Sequence, residues 1–280
     1  MPPAPSPENA ADGMGPTLDG PAGAPPVLAS AQSPLDGIRA TLILLGYLGG
    51  QFCAGMAVAI VAGIAAAVRG RNLNSFQQGS APMQELIAPA AILGLLAGAA
   101  AMVGLSAVLV RGHLRNRNPT GAAWAPGSVK GNVLGLAAGS LTALGYVAVA
   151  ALVSGFGQAP SSAGPIARMA TTPGLTQAAW LVMALLLAPP IEELLFRGVF
   201  YGGCRRSLGP VWAATLTTFI FVMLHITEMI HFLPSFAGIT ALALVALGFR
   251  LRTTAVGPAV AVHFGYNAVL AVIAICSTPG

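Results

Sequence analysis

Long apolar runs constrain this chain more than any other feature of its sequence. A helix needs about 20 mostly apolar residues to cross the hydrocarbon core of a bilayer, and several stretches reach that length. Of the 280 residues 8% are charged and 55% are hydrophobic. Ordinary globular domains carry roughly 25% charged residues. The sequence therefore predicts an all-α, polytopic transmembrane helical bundle and excludes a soluble globular protein.

Seven apolar segments are candidate spans, and their boundaries allow for a total of six to eight. They cover residues 41–68, 85–110, 131–154, 174–204, 210–230, 232–249 and 255–276. The fourth is too long for one straight crossing. Proline removes a helical donor and crowds the preceding turn, so Pro189 and Pro190 predict a kink within this span.

The chain divides into three parts by composition. Residues 1–37 are rich in Pro, Gly, Ala and Ser. Such a segment cannot bury enough apolar surface to offset the entropy of ordering, so we expect a disordered N-terminal tail. Residues 38–173 hold the first three predicted spans and carry no recognisable motif. Residues 174–280 hold the remaining spans and the polar residues expected to form the catalytic part.

Basic residues in the loops predict the orientation of the chain, because loops rich in Arg and Lys stay in the cytoplasm. With a cytoplasmic N-terminus, nine basic residues lie on inside faces and three on outside faces. The inside set is Arg39, Arg111, Arg115, Arg117, Lys130, Arg205, Arg206, Arg250 and Arg252, and the outside set is Arg69, Arg71 and Arg168. We expect a multi-pass protein of the inner (cell) membrane with the lipid bilayer as partner and no nucleic acid, despite the net charge of +5.

Ionisable side chains within spans are costly, and they usually face a protein interior or a watery cavity. Here they concentrate in the last hundred residues, at Glu192, Glu193, Arg197, His225, Glu228 and His263, with Asn267 beside the last of them. Glu228 lies near a span end and is interpreted as interfacial. The other six are candidate site residues.

Helical rise predicts that several of these groups meet at one depth. At about 1.5 Å per residue, Glu192 lies about 20 Å and His225 about 22 Å from the same membrane face. His263 and Asn267 lie roughly 16 and 22 Å from that face. Glu193 and Arg197 stand four residues apart, a spacing that suits an ion pair on one helical face. This division leaves Glu192 free, and the reverse division of roles between the two carboxylates stays open.

This set of groups supports two chemistries that the residues alone do not separate. A carboxylate in an apolar cavity suits a general base, and a neighbouring histidine can hold the attacking water. Histidine and asparagine donors suit the negative charge of a tetrahedral intermediate. Alternatively, Glu192, His225 and His263 would be metal ligands, and zinc with an open position for water fits such a donor set.

Three motifs in this region resemble those of the CPBP family of intramembrane proteases, which includes the type II CAAX prenyl endopeptidases and bacteriocin-processing proteins. Residues 192–197 read EELLFR and resemble the EExxxR motif. Residues 221–225 read FVMLH and resemble FxxxH, and residues 263–267 read HFGYN and resemble HxxxN. The three occur in the family's order, each on a different predicted span.

The resemblance implies an intramembrane endopeptidase that acts on a peptide or protein substrate at the membrane. It implies that Glu192 activates water with the help of His225, that His263 and Asn267 stabilise the oxyanion, and that Glu193 and Arg197 shape the site. Members of the family are described both as metalloproteases and as metal-independent glutamate proteases, so the metal alternative stays open. A non-catalytic immunity or scaffolding protein of the same fold is the main alternative function, and a transporter is a weaker one.

Overall fold

The computed structural model describes residues 34–68, 100, 104, 125–154, 170–171 and 174–276. Over these residues the chain forms helices and no strands. We number the helices α1 Pro34–Val68, α2 Val129–Ser154, α3 Leu175–Leu208, α4 Pro210–Leu224, α5 Ile226–His231, α6 Ser235–Thr253 and α7 Gly257–Cys276. Most of the predicted tail, and nearly all of the predicted span 85–110, lie outside the described residues.

Four of these helices, α2, α3, α6 and α7, are long and apolar enough to cross a membrane. Large apolar side chains face outward along them and along α1, with exposed fractions of 62% at Leu42, 74% at Leu152 and 59% at Val272. Outward apolar faces of this kind are covered by lipid in a bilayer. The predicted all-α membrane bundle is confirmed, and the chain is a membrane protein.

The structure interrupts the predicted span 210–230 at His225. That residue has φ −102° and ψ 20°, outside the helical region, so α4 ends at Leu224 and α5 begins at Ile226. The predicted disordered tail, residues 1–37, extends too far, because α1 begins at Pro34 and residues 34–37 are helical. Asp36 in its first turn is buried and pairs with Arg206 at 2.8 Å.

Helix α3 passes through Pro189 and Pro190 and accommodates them with a π-helical segment, Val182–Leu187. In this wider turn the N–H of Ala188 donates to the carbonyl of Met183. The carbonyl of Ala184, which would accept that N–H in an α-helix, is left for another donor because Pro189 has no N–H to give. A second π-helical segment, Leu194–Phe200, follows within the same helix.

Glycines bring α2 and α7 into close contact. Gly131, Gly135 and Gly139 are spaced four apart on α2, and an added Cβ at Gly135 or Gly139 would overlap the carbonyls of Pro258 or Val262. Small residues at this spacing let membrane helices approach with their backbones nearly touching. The contact fixes α7 beside α2 and therefore holds the segment that carries the HxxxN motif.

Candidate functional site

One cavity of about 300 Å³ collects polar groups from α3, α7 and the α4–α5 junction. Glu192, His225, His263 and Asn267 all line it. The structure thus brings together four of the six residues singled out in the sequence. The other two, Glu193 and Arg197, lie fully buried behind the cavity wall.

Glu193 joins two of the motifs. Its Oε1 lies 3.1 Å from Nη1 of Arg197, four residues further along α3. The same oxygen lies 3.1 Å from Nδ1 of His263 on α7. A carboxylate oxygen accepts, so the imidazole donates from Nδ1 and its Nε2 is the other functional nitrogen. The spacing of EExxxR predicted the ion pair, but not the contact with His263.

Arg197 is held on three sides inside the protein. Its Nη2 donates to the carbonyl of Ala243 on α6 at 3.1 Å. Its guanidinium carbon lies 4.2 Å from the ring centroid of Phe221, a cation–π distance. Nη1 is close to Glu193 without hydrogen-bond alignment, so that contact is electrostatic. A buried charge needs such partners because it has left water.

Phe221 explains the first position of the FxxxH motif. The ring is fully buried and lies edge-on to Phe196, with centroids 5.2 Å apart, and 4.8 Å from the ring of His225. Its carbonyl lies 2.9 Å from Nδ1 of His225. A carbonyl can only accept, so Nδ1 of His225 carries the proton and Nε2 is an acceptor in the neutral ring.

Asn267 completes a bond that α3 leaves open. Its Nδ2 donates to the carbonyl of Ala184 at 2.8 Å. That carbonyl has lost its helical donor to the π turn described above. The bond fixes the amide, and it leaves one N–H and the Oδ1 atom of Asn267 for other partners.

Glu192 differs from Glu193 in its surroundings. It is half-buried, and its Oε2 atom is buried without a hydrogen-bond partner among the described residues. It interacts electrostatically with Arg197 and with Tyr47 of α1. Oε2 of Glu193 also has no hydrogen-bond partner among the described residues, but Glu193 is fully buried and its Oε1 contacts Arg197 and His263. Glu192 lines the cavity and is therefore the carboxylate available to a ligand there.

Sequence reasoning missed several residues that line the cavity. Glu228 does so, although its position near the end of a predicted span indicated an interfacial residue. The break at His225 redirects the chain and accounts for the difference. The sequence analysis also did not identify four other polar residues that line the cavity, because no motif or spacing distinguishes them from other polar residues of an apolar helix. They are Tyr146, Trp180, Ser235 and Tyr266.

The positions of the candidate ligands bear on the metal alternative. Among the described residues, no group of three His, Cys, Asp or Glu side chains is arranged to hold one metal ion. One nitrogen of His263 is also taken by Glu193 and one nitrogen of His225 by Phe221. A zinc site formed by Glu192, His225 and His263 stays a prediction, and no step below depends on it.

The segment that carries these site residues is similar to a known protein family. The family model described as type II CAAX prenyl endopeptidase Rce1-like matches residues 174–269, a segment that contains all three motifs. No curated protein and no solved structure matches the chain. The match agrees with the resemblance carried by the motif residues. Over residues 174–269, about a third of the chain, the sequence is therefore similar to the type II CAAX prenyl endopeptidase Rce1-like proteins.

Proposed function

We propose that the chain is an intramembrane endopeptidase that hydrolyses peptide bonds of membrane-associated substrates in the cavity lined by Glu192, His225, His263 and Asn267. The observation that carries the proposal is the shared cavity, which combines an unpaired carboxylate, an accepting imidazole nitrogen and an amide donor. Peptide hydrolysis requires a base for water and donors for an oxyanion, and these groups supply both.

Glu192 acts as the general base in this mechanism, with His225 as its assistant. The buried carboxylate oxygen without a partner can accept a proton from a water molecule in the cavity. Nδ1 of His225 is occupied by the Phe221 carbonyl, so Nε2 can accept the second hydrogen of the same water. Two acceptors orient the water so that its oxygen lone pair is free to attack the substrate carbonyl.

His263 and Asn267 provide the oxyanion donors. Nδ1 of His263 already donates to Glu193, so its Nε2 can donate only when the ring is an imidazolium. Glu193 stabilises that cation, and Arg197 balances the carboxylate in turn. The second N–H of the Asn267 amide is the other donor, since the first is used by Ala184.

The charges remain balanced through the reaction. The proton of water moves to Glu192 as the new carbon–oxygen bond forms, and the carbonyl electron pair moves to the oxyanion. Negative charge thus passes from Glu192 to a position beside His263 and Asn267. Collapse of the intermediate breaks the carbon–nitrogen bond, and Glu192 returns its proton to the leaving amine. The step needs water as its only co-reactant.

Reconstituted protein tests the proposal directly. We expect wild-type protein in liposomes to cleave members of a peptide library presented at the membrane. Glu192→Gln should lower kcat by about 10²- to 10⁴-fold, since it removes the general base. His225→Ala should lower kcat less than Glu192→Gln does, because Glu192 can still take the proton.

Glu228→Gln is the matched control, because it removes another carboxylate that lines the same cavity. We expect this variant to retain most of its activity. Equal cleavage by wild type, Glu192→Gln and His225→Ala would contradict the proposal. Biological function that survives Glu192→Ala would instead favour the immunity or scaffolding alternative, and loss of cleavage on addition of a chelator would favour a metal.

A further inference from the structure

Arg250 makes a contact with the site that its position in the sequence does not predict. It lies near the end of α6 and was counted above among the cytoplasmic loop charges. The structure instead buries the side chain, of which 5% is exposed, and its Nε donates to the carbonyl of Arg197 at 3.1 Å. That correction leaves eight inside charges against three outside, so the predicted orientation is unaffected.

The carbonyl of Arg197 can accept this bond because of the second π segment. In an α-helix the N–H of Tyr201 would donate to Arg197, but here it donates to the carbonyl of Phe196. Arg250 supplies a donor in place of the one that the π turn diverts. The first π segment is completed in the same way, by Asn267 at the carbonyl of Ala184. Such bulges occur often at functional sites.

The contact between α3 and α6 is reciprocal. Arg197 donates from its side chain to the carbonyl of Ala243, and Arg250 donates from its side chain to the carbonyl of Arg197. Ala243 and Arg250 are seven residues apart, about two helical turns, and so face the same side of α6. The two bonds together fix both the side chain and the backbone of Arg197.

We propose that Arg250 is a positioning residue that acts on the site through Arg197. The chain of contacts comprises a hydrogen bond from Arg250 to the Arg197 carbonyl, the ion pair of Arg197 with Glu193, and the hydrogen bond that Glu193 accepts from Nδ1 of His263 at the cavity. Without the donor at Arg250 the π turn relaxes, Glu193 moves with it, and the imidazole loses its alignment. The inference rests on the proposed function only for its kinetic consequence.

Arg250→Lys is the sharpest variant, because it retains the charge and shortens the side chain by one atom only. The atom of lysine that corresponds to Nε is a carbon, which has no hydrogen to donate. We expect kcat to fall about tenfold and KM to stay within about twofold. A fall of this size is typical when a residue that orients a site residue by a hydrogen bond is removed. Arg252→Lys, two residues further along the same helix and exposed, is the control and should behave as wild type.

A second measurement does not depend on cleavage. The chain has four histidines, so nitrogen-15 spectra of the imidazoles can be assigned with single substitutions. We expect the resonances of His263 to shift in Arg250→Lys and those of His225 to stay in place. If wild type does not cleave peptides but His263 still shifts, the proposed function fails and the positioning role stands.

Two results would overturn the inference. One is an Arg250→Lys protein with wild-type kcat and unshifted His263 resonances. The other is a fall in kcat that is fully explained by a smaller folded fraction, while the folded molecules keep wild-type His263 resonances. Arg250 would then stabilise the helical bundle without positioning His263. Arg250→Met, which removes the charge as well, should give a larger fall in kcat and a larger shift where it folds.

Discussion

Glu192 and Glu193 are neighbours in the sequence and differ in their burial and in their contacts. Each has one oxygen without a hydrogen-bond partner among the described residues, but Glu193 is fully buried between Arg197 and His263, whereas Glu192 is half-buried and lines the cavity. A helical offset of about 100° between consecutive residues produces this difference. One carboxylate therefore holds the network, and its neighbour faces the space that a substrate would enter.

Substitutions of these two carboxylates should differ in their effect on the free energy of unfolding. Glu193→Gln leaves Arg197 buried without its counter-charge, and breaking a buried pair in this way costs about 3–5 kcal/mol of unfolding free energy. Glu192→Gln breaks no ion pair within the described residues and removes a charge from an apolar cavity, so we expect a change of less than about 1 kcal/mol. Unfolding of both variants by SDS titration in mixed micelles measures the difference, and equal destabilisation would contradict the assignment of roles.

The elements of the fold position the site through their irregular parts. Both π segments of α3 divert a backbone donor, and in each case a side chain from another helix, Asn267 or Arg250, bonds the carbonyl that is released. The break at His225 also positions a site residue. It ends α4 at Leu224, and the imidazole of His225 lines the cavity at that point. The irregular segments of α3 therefore make possible bonds between helices that a regular helix, with its carbonyls already occupied, would not accept.

Because α2 packs closely against α7, we expect Gly139→Ala on α2 to disturb the site residues of α7. An added methyl group at Gly139 would overlap the carbonyl of Val262, the residue before His263. Overpacking of this kind costs about 1–3 kcal/mol, and the shift of α7 should also lower kcat. Gly145, on the same helix, has nothing within 4 Å of an added Cβ.

Gly145→Ala is therefore the matched control for Gly139→Ala. We expect it to leave kcat unchanged and to alter the unfolding free energy by less than about 1 kcal/mol, since helix propensity favours alanine over glycine by about that amount. Unfolding titrations and initial rates on both proteins make the comparison. Identical behaviour of the two variants would show that the α2–α7 contact does not support the site.

At the scale of the whole molecule, contacts between helix ends agree with the predicted arrangement of the chain. The start of α1 meets the end of α3 through Asp36 and Arg206, and the N–H of Gly257 at the start of α7 bonds the carbonyl of Ala125, just before α2. These pairs join ends that the distribution of basic residues assigns to one face. Which face is cytoplasmic is a prediction of the positive-inside rule.

Reporter fusions test that orientation. We expect a fusion of alkaline phosphatase after Gly280 to be active, because seven spans and a cytoplasmic N-terminus place the C-terminus outside. A fluorescent protein fused at the same position should stay dark, and one fused before Met1 should fluoresce. The opposite pattern at the C-terminus would mean an even number of spans or a reversed chain.

Composition and spacing by themselves determined the class of this protein and much of its site. Long apolar runs require a bilayer, because nothing else covers such surfaces, and costly ionisable groups within those runs require a protected cavity. The interval of four between Glu193 and Arg197 predicts their ion pair, and depth counting predicts that Glu192, His225, His263 and Asn267 share a level. These results depend on helical geometry, which a sequence encodes locally.

Tertiary structure alone decided which groups bond to which across the helices. The contact of Glu193 with His263, the burial of Arg250 and the bond from Asn267 to Ala184 all join residues from different helices. No local pattern predicts them, because each depends on a partner helix that arrives at the same level. The bonds of Arg250 and Asn267 depend in addition on π turns that leave a carbonyl without its helical donor. Hydrogen bonds buried in an apolar bundle have no water to replace them, so that three-dimensional match fixes the site.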